Sequence, residues 1–475
     1  MPAALDEKTI PPASSAIWCA LIVLGIALKI GLLCTSQTLP DGDEAVEGLM
    51  AMHILERGVH PVYPYGVNYG AGAGWEAHVA AGLFGLFGVS EVALKSVGLM
   101  HYLATLGLVG ALAYFWRGGN GALVAAGLYA LAPQTAQWAL KCAGGHQVAV
   151  ILALGGWLCV LRGWTIPALV ALPLAVLAHP IALPFVAVVC AGWLVQSPSW
   201  RRRGLVLIGL AAVAAAEFWL LRPPGETVWN PLSKSFDLPA RLLAIPRLAV
   251  GLFTPNLNSL QWPAEWDGVI ALVWLAAVVW AVRQPAQPWW NRAVLLAPWG
   301  IVFVVSSSEL APRHLLLASP VAAIVLACAQ DRSRTWTRTL PFVLAGLGGL
   351  VHVAEMADPC IYGPGVQSAG VVRANVSSVM ENLRTQQIKF VYCVDPMLQW
   401  NIDFASREQI RARWLSAHDR LPEYVRAVDE ARRQGQRVAL VTPGGPGIPV
   451  QFLVTPDPPE QVINQYFQPA PAISP

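Results

Sequence analysis

Over the first 357 residues, long apolar runs alternate with short polar connectors, and crossing a bilayer takes about 20 apolar residues as a helix. Read for that length, eleven spans fall at 16–36, 94–116, 120–140, 146–161, 164–179, 181–196, 204–221, 267–282, 293–308, 314–330 and 339–356. The stretch 77–89 is apolar but short and broken by glycines, so it is expected to lie at the interface or dip in without crossing. Arginine placement tests the count. With a cytoplasmic N-terminus, Arg117, Arg162, Arg201, Arg202, Arg203, Arg283, Arg292, Arg332, Arg334 and Arg338 all fall inside, as the positive-inside rule asks. A crossing at 77–89 would move every one of them outside. The first run lacks a clear small-residue cleavage site and reads as an uncleaved anchor.

From about residue 358 the pattern changes: charged positions recur, and 377–386 and 422–434 are helix-like while 388–394 and 437–441 are strand-like. The division expected is a transmembrane unit over 1–357, with an outer juxtamembrane loop at 37–93, and a small α/β extracytoplasmic domain over 358–475. The proline-rich stretches PGGPGIP (443–449) and QPAPAISP read as loop and tail, and there is no internal repeat.

Composition agrees with a polytopic membrane protein: of 475 residues 55% are hydrophobic and 12% charged, against roughly 25% charged in soluble domains. A net charge of +3 without a basic block gives no footing for nucleic acid. Six of the eight cysteines lie in or beside apolar runs without metal-ligand spacing. Cys360 and Cys393 fall in the tail, where an oxidising compartment would let them pair.

The topology gathers four polar groups on the outer face. Asp41, Asp43, Glu44 and Glu47 lie just past the first span, and DGDEAVEG has a bland reading: Asp41 caps a helix and Glu44 closes a capping box. NYGAGAGWEAH (68–78) brings Glu76 to the interfacial stretch, and its glycines, with no strand, helix and lysine in P-loop order, are expected to let backbone approach the membrane surface. KCAGGHQ supplies Lys141, His146 and Gln147; ELAPRHLL supplies Arg313, equally readable as a snorkelling anchor. His146 reads also as a hydrogen-bonding group at a helix start, and His179 before Pro180 as structural. Together these groups offer carboxylates for proton abstraction and cations for an anionic leaving group. No Asp, Glu or His spacing compels a metal, so none is assigned; a divalent ion is possible but not indicated.

On these residues the chain resembles the GT-C superfamily of polytopic glycosyltransferases, the group holding protein O-mannosyltransferases and the lipid A aminoarabinose transferase. DEAVEGLMAMHILERG (43–58) is similar to that family's acidic motif and NYGAGAGWEAHVAAGLFGLFG (68–88) to its second loop motif. GGHQ (144–147) stands at its glycine pair and PRHLLL (312–317) at its late Arg-Tyr-Leu motif. The tail segment 392–410 is similar to the outer domain of bacterial members. The chain departs from the family where Ala143 and His146 replace an arginine and a tyrosine, and where His314 replaces a tyrosine; Lys141 and His146 are the stand-ins.

What the resemblance implies is an inverting transfer of sugar from a polyprenyl-phosphate donor to a glycan, lipid or protein acceptor, in the bacterial inner (plasma) membrane. Asp43 is then the catalytic carboxylate and Glu76 a second acid. Arg313 and Lys141 bind the donor phosphate, with Asp41, Glu44, His146 and Gln147 as further pocket residues. The alternative class is a transporter or flippase of a lipid-linked glycan. Against it, the carboxylates stand in an outer loop rather than at mid-membrane, and no half of the chain repeats.

Overall fold

The protein is described here from a computed structural model, over residues 12–35, 40–197, 199–220, 237–253, 265–283, 293–294, 296–303, 311–329, 335–357, 369–415, 420–443 and 452–467. Its helical part comprises α1 (Pro12–Cys34), α2 (Gly42–Arg57), α3 (Gly72–Phe87), α4 (Glu91–Ala130), α5 (Pro133–Trp138), α6 (His146–Arg162), α7 (Thr165–Ala178), α8 (Leu183–Gln196), α9 (Trp200–Leu220), α10 (Leu238–Phe253), α11 (Glu265–Arg283), α12 (Ala318–Cys328) and α13 (Thr335–Ala357). Among the described residues, three helical stretches are long and apolar enough to cross a membrane, Ser14–Cys34, Glu91–Ala130 and Thr337–Ala357, and six shorter apolar ones accompany them. One core runs through these helices, with Trp18, Leu128, Trp157, Phe185, Trp274 and Leu326 buried in it. Ile166, Leu205, Ile208 and Leu243 are exposed on the outside, as side chains facing lipid are.

Local sequence explains where this differs from the expected spans. The runs 94–116 and 120–140 are merged in α4, which bends where Gly118 takes φ 63° and ψ −163° and Arg117 donates to the Cys328 carbonyl at 2.9 Å. The second run does not reach 140. Helix ends at Ala130 because Pro133 holds Ala132 extended (φ −61°, ψ 133°) and restarts the chain as α5. Part of 293–308 is a 3-10 helix, Ala297–Phe303, and the expected loop 222–266 carries the amphipathic α10, with Ala244, Leu248 and Leu252 buried. Helix α3 has 16 residues, short of a span. Arg292, Arg332, Arg334, Cys360, most of the proline-rich 443–449 and the QPAPAISP end lie outside the described residues.

The C-terminal unit contains α14 (Ala369–Thr385), β1 (Phe390–Cys393), α15 (Pro396–Ala405), β2 (Arg411–Arg413), α16 (Pro422–Arg433), β3 (Val438–Pro443), β4 (Phe452–Pro456) and α17 (Glu460–Tyr466). The four strands lie in the order β2-β1-β3-β4. Val391 pairs with Ala412 and Ala439 in parallel ladders, and Val441 with Val454 in the antiparallel one. Both faces are covered, as parallel strands require: Val391, Leu398, Ile402 and Val441 on one side, Tyr392, Val428 and Leu440 on the other. The expected helices and strands appear as α14, β1, α16 and β3; the short β2, α15, β4 and α17 were not anticipated. Cys393 is a free, buried thiol.

The two parts meet at α2. A Cβ on Gly42 would stand 2.4 Å from Met397 Sδ, and one on Gly48 2.5 Å from Phe404, so α15 can lie against α2 only because those positions are bare. Eleven of the 16 residues of α2 are buried.

Candidate active site

Helix α2 opens with the expected capping box. Asp41 accepts from the Glu44 backbone N–H at 2.9 Å, and Glu44 accepts from the Asp41 N–H at 3.0 Å. Both carboxylates do more than cap. Lys141 donates to Asp41 at 3.0 Å; Lys95, one turn into α4, reaches both oxygens of Glu44 at 2.8 and 2.6 Å; and the Cys142 N–H adds 3.0 Å to Glu44. Burial pushes the Asp41 carboxyl up, but Lys141 and the Glu44 N–H outweigh it and hold it below its usual value. At Glu44 burial prevails over Lys95, and the carboxyl is raised.

Gly144 and Gly145 form a turn with φ of 66° and 74°, a conformation that glycine adopts without strain. Their N–H groups donate to two acids, Gly144 to Glu47 and Gly145 to Glu76 at 3.0 Å. Burial is the main cause that raises both carboxyls, Glu47 well above its ordinary range and Glu76 to about 7. The charge of Glu76 adds to the rise at Glu47. The glycine run before Glu76 serves the same junction: a Cβ on Gly72 would stand 2.7 Å from Gly145 Cα, and one on Gly74 2.4 Å from the Val62 carbonyl. Those glycines therefore admit close approach of protein backbone, a role different from the membrane contact expected of them.

In front of this turn lies a cationic and aromatic wall. His146 and His179 stack at 3.9 Å, with His314 6.4 Å and Trp138 5.4 Å from the His146 ring. His146 hydrogen-bonds at the start of α6, its Nδ1 lying 2.8 Å from the Ala143 carbonyl. That partner can only accept, so in the neutral ring Nδ1 carries the proton and Nε2 presents a bare lone pair; Nε2 is buried and unpartnered. His179 caps the turn that follows it, accepting from the Ile181 N–H at 3.2 Å. Arg313, in the 3-10 turn Pro312–Leu315, is half-buried, acts electrostatically on His146, His179, His314 and Lys141, and has no acid in ion-pairing range among the described residues. Asp43 also acts on His146. Its carboxylate is 44% exposed, and Oδ1 meets Arg420 at 2.8 Å. Gln147 is turned away, donating to the Trp138 and Lys141 carbonyls.

The predicted residues thus fall into three sets: Asp41, Glu44 and Lys141 form a buried ion-pair cluster, Glu76 joins Glu47 at the glycine turn, and Asp43 and Arg313 both act on His146. Sequence reasoning missed Lys95, hidden at the start of an apolar run, and Arg420, in a polar segment without a motif. Among the described residues, two groups have ligand atoms within 4.8 Å of one another, Glu47 with Glu76 and Cys142, and His53 with Glu408 and Glu423. In the first, Glu47 accepts from the Gly144 N–H and the Cys142 thiol and Glu76 from the Gly145 N–H; in the second, Arg57 bridges Glu408 and Glu423 at 2.7 and 2.9 Å.

The bundle, the acidic juxtamembrane helix and the appended sheet together make the fold of the GT-C glycosyltransferases. Among solved structures, the chain is similar to ArnT, the lipid A aminoarabinose transferase, from Cupriavidus metallidurans in the apo state: TM-score 0.62, 16% identity, 90% of this chain and 93% of that one. The same protein bound to undecaprenyl phosphate matches with TM-score 0.61 and 14% identity over 91% of this chain and 94% of that one. The arabinofuranosyltransferase AftD from Mycobacteria aligns at TM-score 0.52 and 14% identity, with 92% of this chain covering 36% of that one. No protein-family model and no curated protein matches the sequence.

Proposed function

We propose that this protein is an inverting glycosyltransferase that moves a sugar from a polyprenyl-phosphate donor to an acceptor at the outer face of the membrane. One observation carries the reading: a half-exposed carboxylate, Asp43, and a cation with no acid in ion-pairing range among the described residues, Arg313, both act electrostatically on His146. Asp43 takes the proton of the acceptor hydroxyl. The acceptor oxygen attacks the anomeric carbon, and the bond from that carbon to the phosphate oxygen breaks with its electron pair leaving on the lipid phosphate. A single displacement inverts the centre. Arg313 meets the charge that grows on the phosphate, while Lys141, engaged with Asp41, contributes through its field. The lone pair on His146 Nε2 accepts from a hydroxyl of the bound sugar. Glu76 acts from behind, holding the Gly145 turn. That undecaprenyl phosphate binds the ArnT neighbour supports a lipid phosphate as leaving group.

The same reading places the N-terminus in the cytoplasm of a bacterial cell, eleven spans in the inner membrane, and the unit after residue 358 outside. Single cysteines at Arg203 and Gln434 distinguish the sides: an impermeant maleimide added to intact cells labels the second only.

The chemistry is tested in native membranes, which hold donor and acceptor, after the polyprenyl-phosphate pool has been labelled with radioactive phosphate. Asp43→Asn keeps shape and removes the base, so release of free polyprenyl phosphate falls by about 100-fold to 10000-fold with insertion unchanged. Normal release in a well-folded Asn variant, or movement of lipid-linked sugar across the membrane with none released, would return the transporter reading.

A further inference from the structure

Asp43 is the second residue of α2 and takes no part in its cap, which belongs to Asp41. A half-exposed aspartate with no local anchor moves among staggered rotamers, whereas a base must be held in line with the proton it removes. Among the described residues the group that meets Asp43 is Arg420, from the C-terminal unit, 2.8 Å from Oδ1.

Arg420 is itself fixed from two sides. A Cβ on Gly66 would stand 2.8 Å from Arg420 Cα, so the loop after α2 packs directly on its backbone. The next residue, Leu421, is buried and begins α16, whose Tyr424 donates to Glu408. Glu408 in turn accepts from Arg57 at 2.8 and 2.7 Å and faces His53 at 2.9 Å. Both of these stand on α2, so its C-terminal end locks the helix that delivers Arg420 to its N-terminal end.

We infer that Arg420 is a positioning residue for Asp43: it grips Oδ1 and turns Oδ2 toward the acceptor. This rests on the proposed role of Asp43 as base. Among the described residues, the other charged or titratable groups near Asp43 are His146 from α6 and, along α2, the caps and acids Asp41, Glu44 and Glu47, all engaged elsewhere apart from the His146 Nε2. Arg420 is therefore the group whose removal both frees the carboxylate and strips it of its cation.

The test uses the full-length protein in the labelled native membranes, comparing Arg420→Ala, Arg420→Lys, Asp43→Asn and the double variant Asp43→Asn with Arg420→Ala. In Arg420→Ala turnover falls about tenfold, and the donor level giving half-maximal rate stays within about twofold, since uniform binding is untouched. Arg420→Lys restores only part of the rate, because an ammonium keeps charge and loses the planar fork. In the Asp43→Asn background, removing Arg420 costs nothing further, as for residues acting as one unit. The pair is half-exposed, so melting should hardly change; if Arg420→Ala does unfold, the split between turnover and half-saturating donor in Arg420→Lys and Arg420→Gln decides. A rate within about twofold of the parent, or a loss that multiplies with Asp43→Asn, overturns the inference. A fully active Asp43→Asn instead overturns the reading on which it rests.

Discussion

Lys95→Met asks what the buried ion pair beneath the site contributes. Glu44 is fully buried and Lys95 is 4% exposed; the ammonium reaches both carboxylate oxygens, at 2.8 and 2.6 Å. Methionine matches the lysine stem in length and packs as well, so the change isolates charge. It leaves Glu44 with the Cys142 and Asp41 N–H groups but without a cation in contact. Breaking one side of a buried pair costs about 3 to 5 kcal/mol, because the remaining charge is stranded in a poor solvent. Lys141 moderates this at longer range, which favours the low end, about 3 kcal/mol. The double variant Lys95→Met with Glu44→Gln strands no charge and should recover at least about half of the loss, giving a coupling of about 1.5 kcal/mol or more. Reversible unfolding of the detergent-solubilised protein measures all four members of the cycle. A Lys95→Met loss under about 0.5 kcal/mol, or a double variant no better than the single, would refute this account of the pair.

Arg313→Ala should weaken use of donor and slow turnover together, with Arg313→Lys recovering part, whereas a mere anchor would change insertion or melting alone; titration of polyprenyl phosphate against purified variants separates the two. At the interface of the two units, burial pushes Glu408 up, but hydrogen bonds from His53, Tyr424 and Arg57 outweigh it and bring the carboxyl to about 2. A depressed folded pKa contributes stability that is complete above the unfolded value and is lost as pH falls from about 4.3 toward 2. Melting of the parent should therefore fall more steeply than that of Glu408→Gln between pH 5 and pH 3; parallel curves would exclude Glu408 as the source.

The capping box was legible because its two halves are three residues apart and the chemistry is local. Its extension to Lys95 and Lys141 was not, since partners 51 and 100 residues away leave no periodic trace. Lys95 was concealed further by its apolar neighbours, which made it look like the rim of a span. The break at Ala130 was readable from Pro133 but was overridden by the length of the apolar run. In the tail, the longer helices and the two central strands announced themselves by pattern, while a three-residue β2 carries too few positions to alternate. Arg420 stood in a polar stretch with no periodicity, and only the tertiary placement of α16 brings it to Asp43.

The clamp on α2 also orders events during synthesis. His53 and Glu408 are 355 residues apart, which at ribosomal speeds of about 5 to 20 residues per second is roughly 20 to 70 seconds of elongation. Through that interval the bare glycines at 42 and 48 and the polar face of His53 and Arg57 have been made while α15 and α16 do not yet exist. The nascent chain thus keeps the face of α2 that meets α15 and α16 uncovered until the last quarter of translation, while its buried acids already have their partners between Lys95 and Gly144. A chain ended near residue 358 would retain every membrane helix and still leave Asp43 without the surface it rests on.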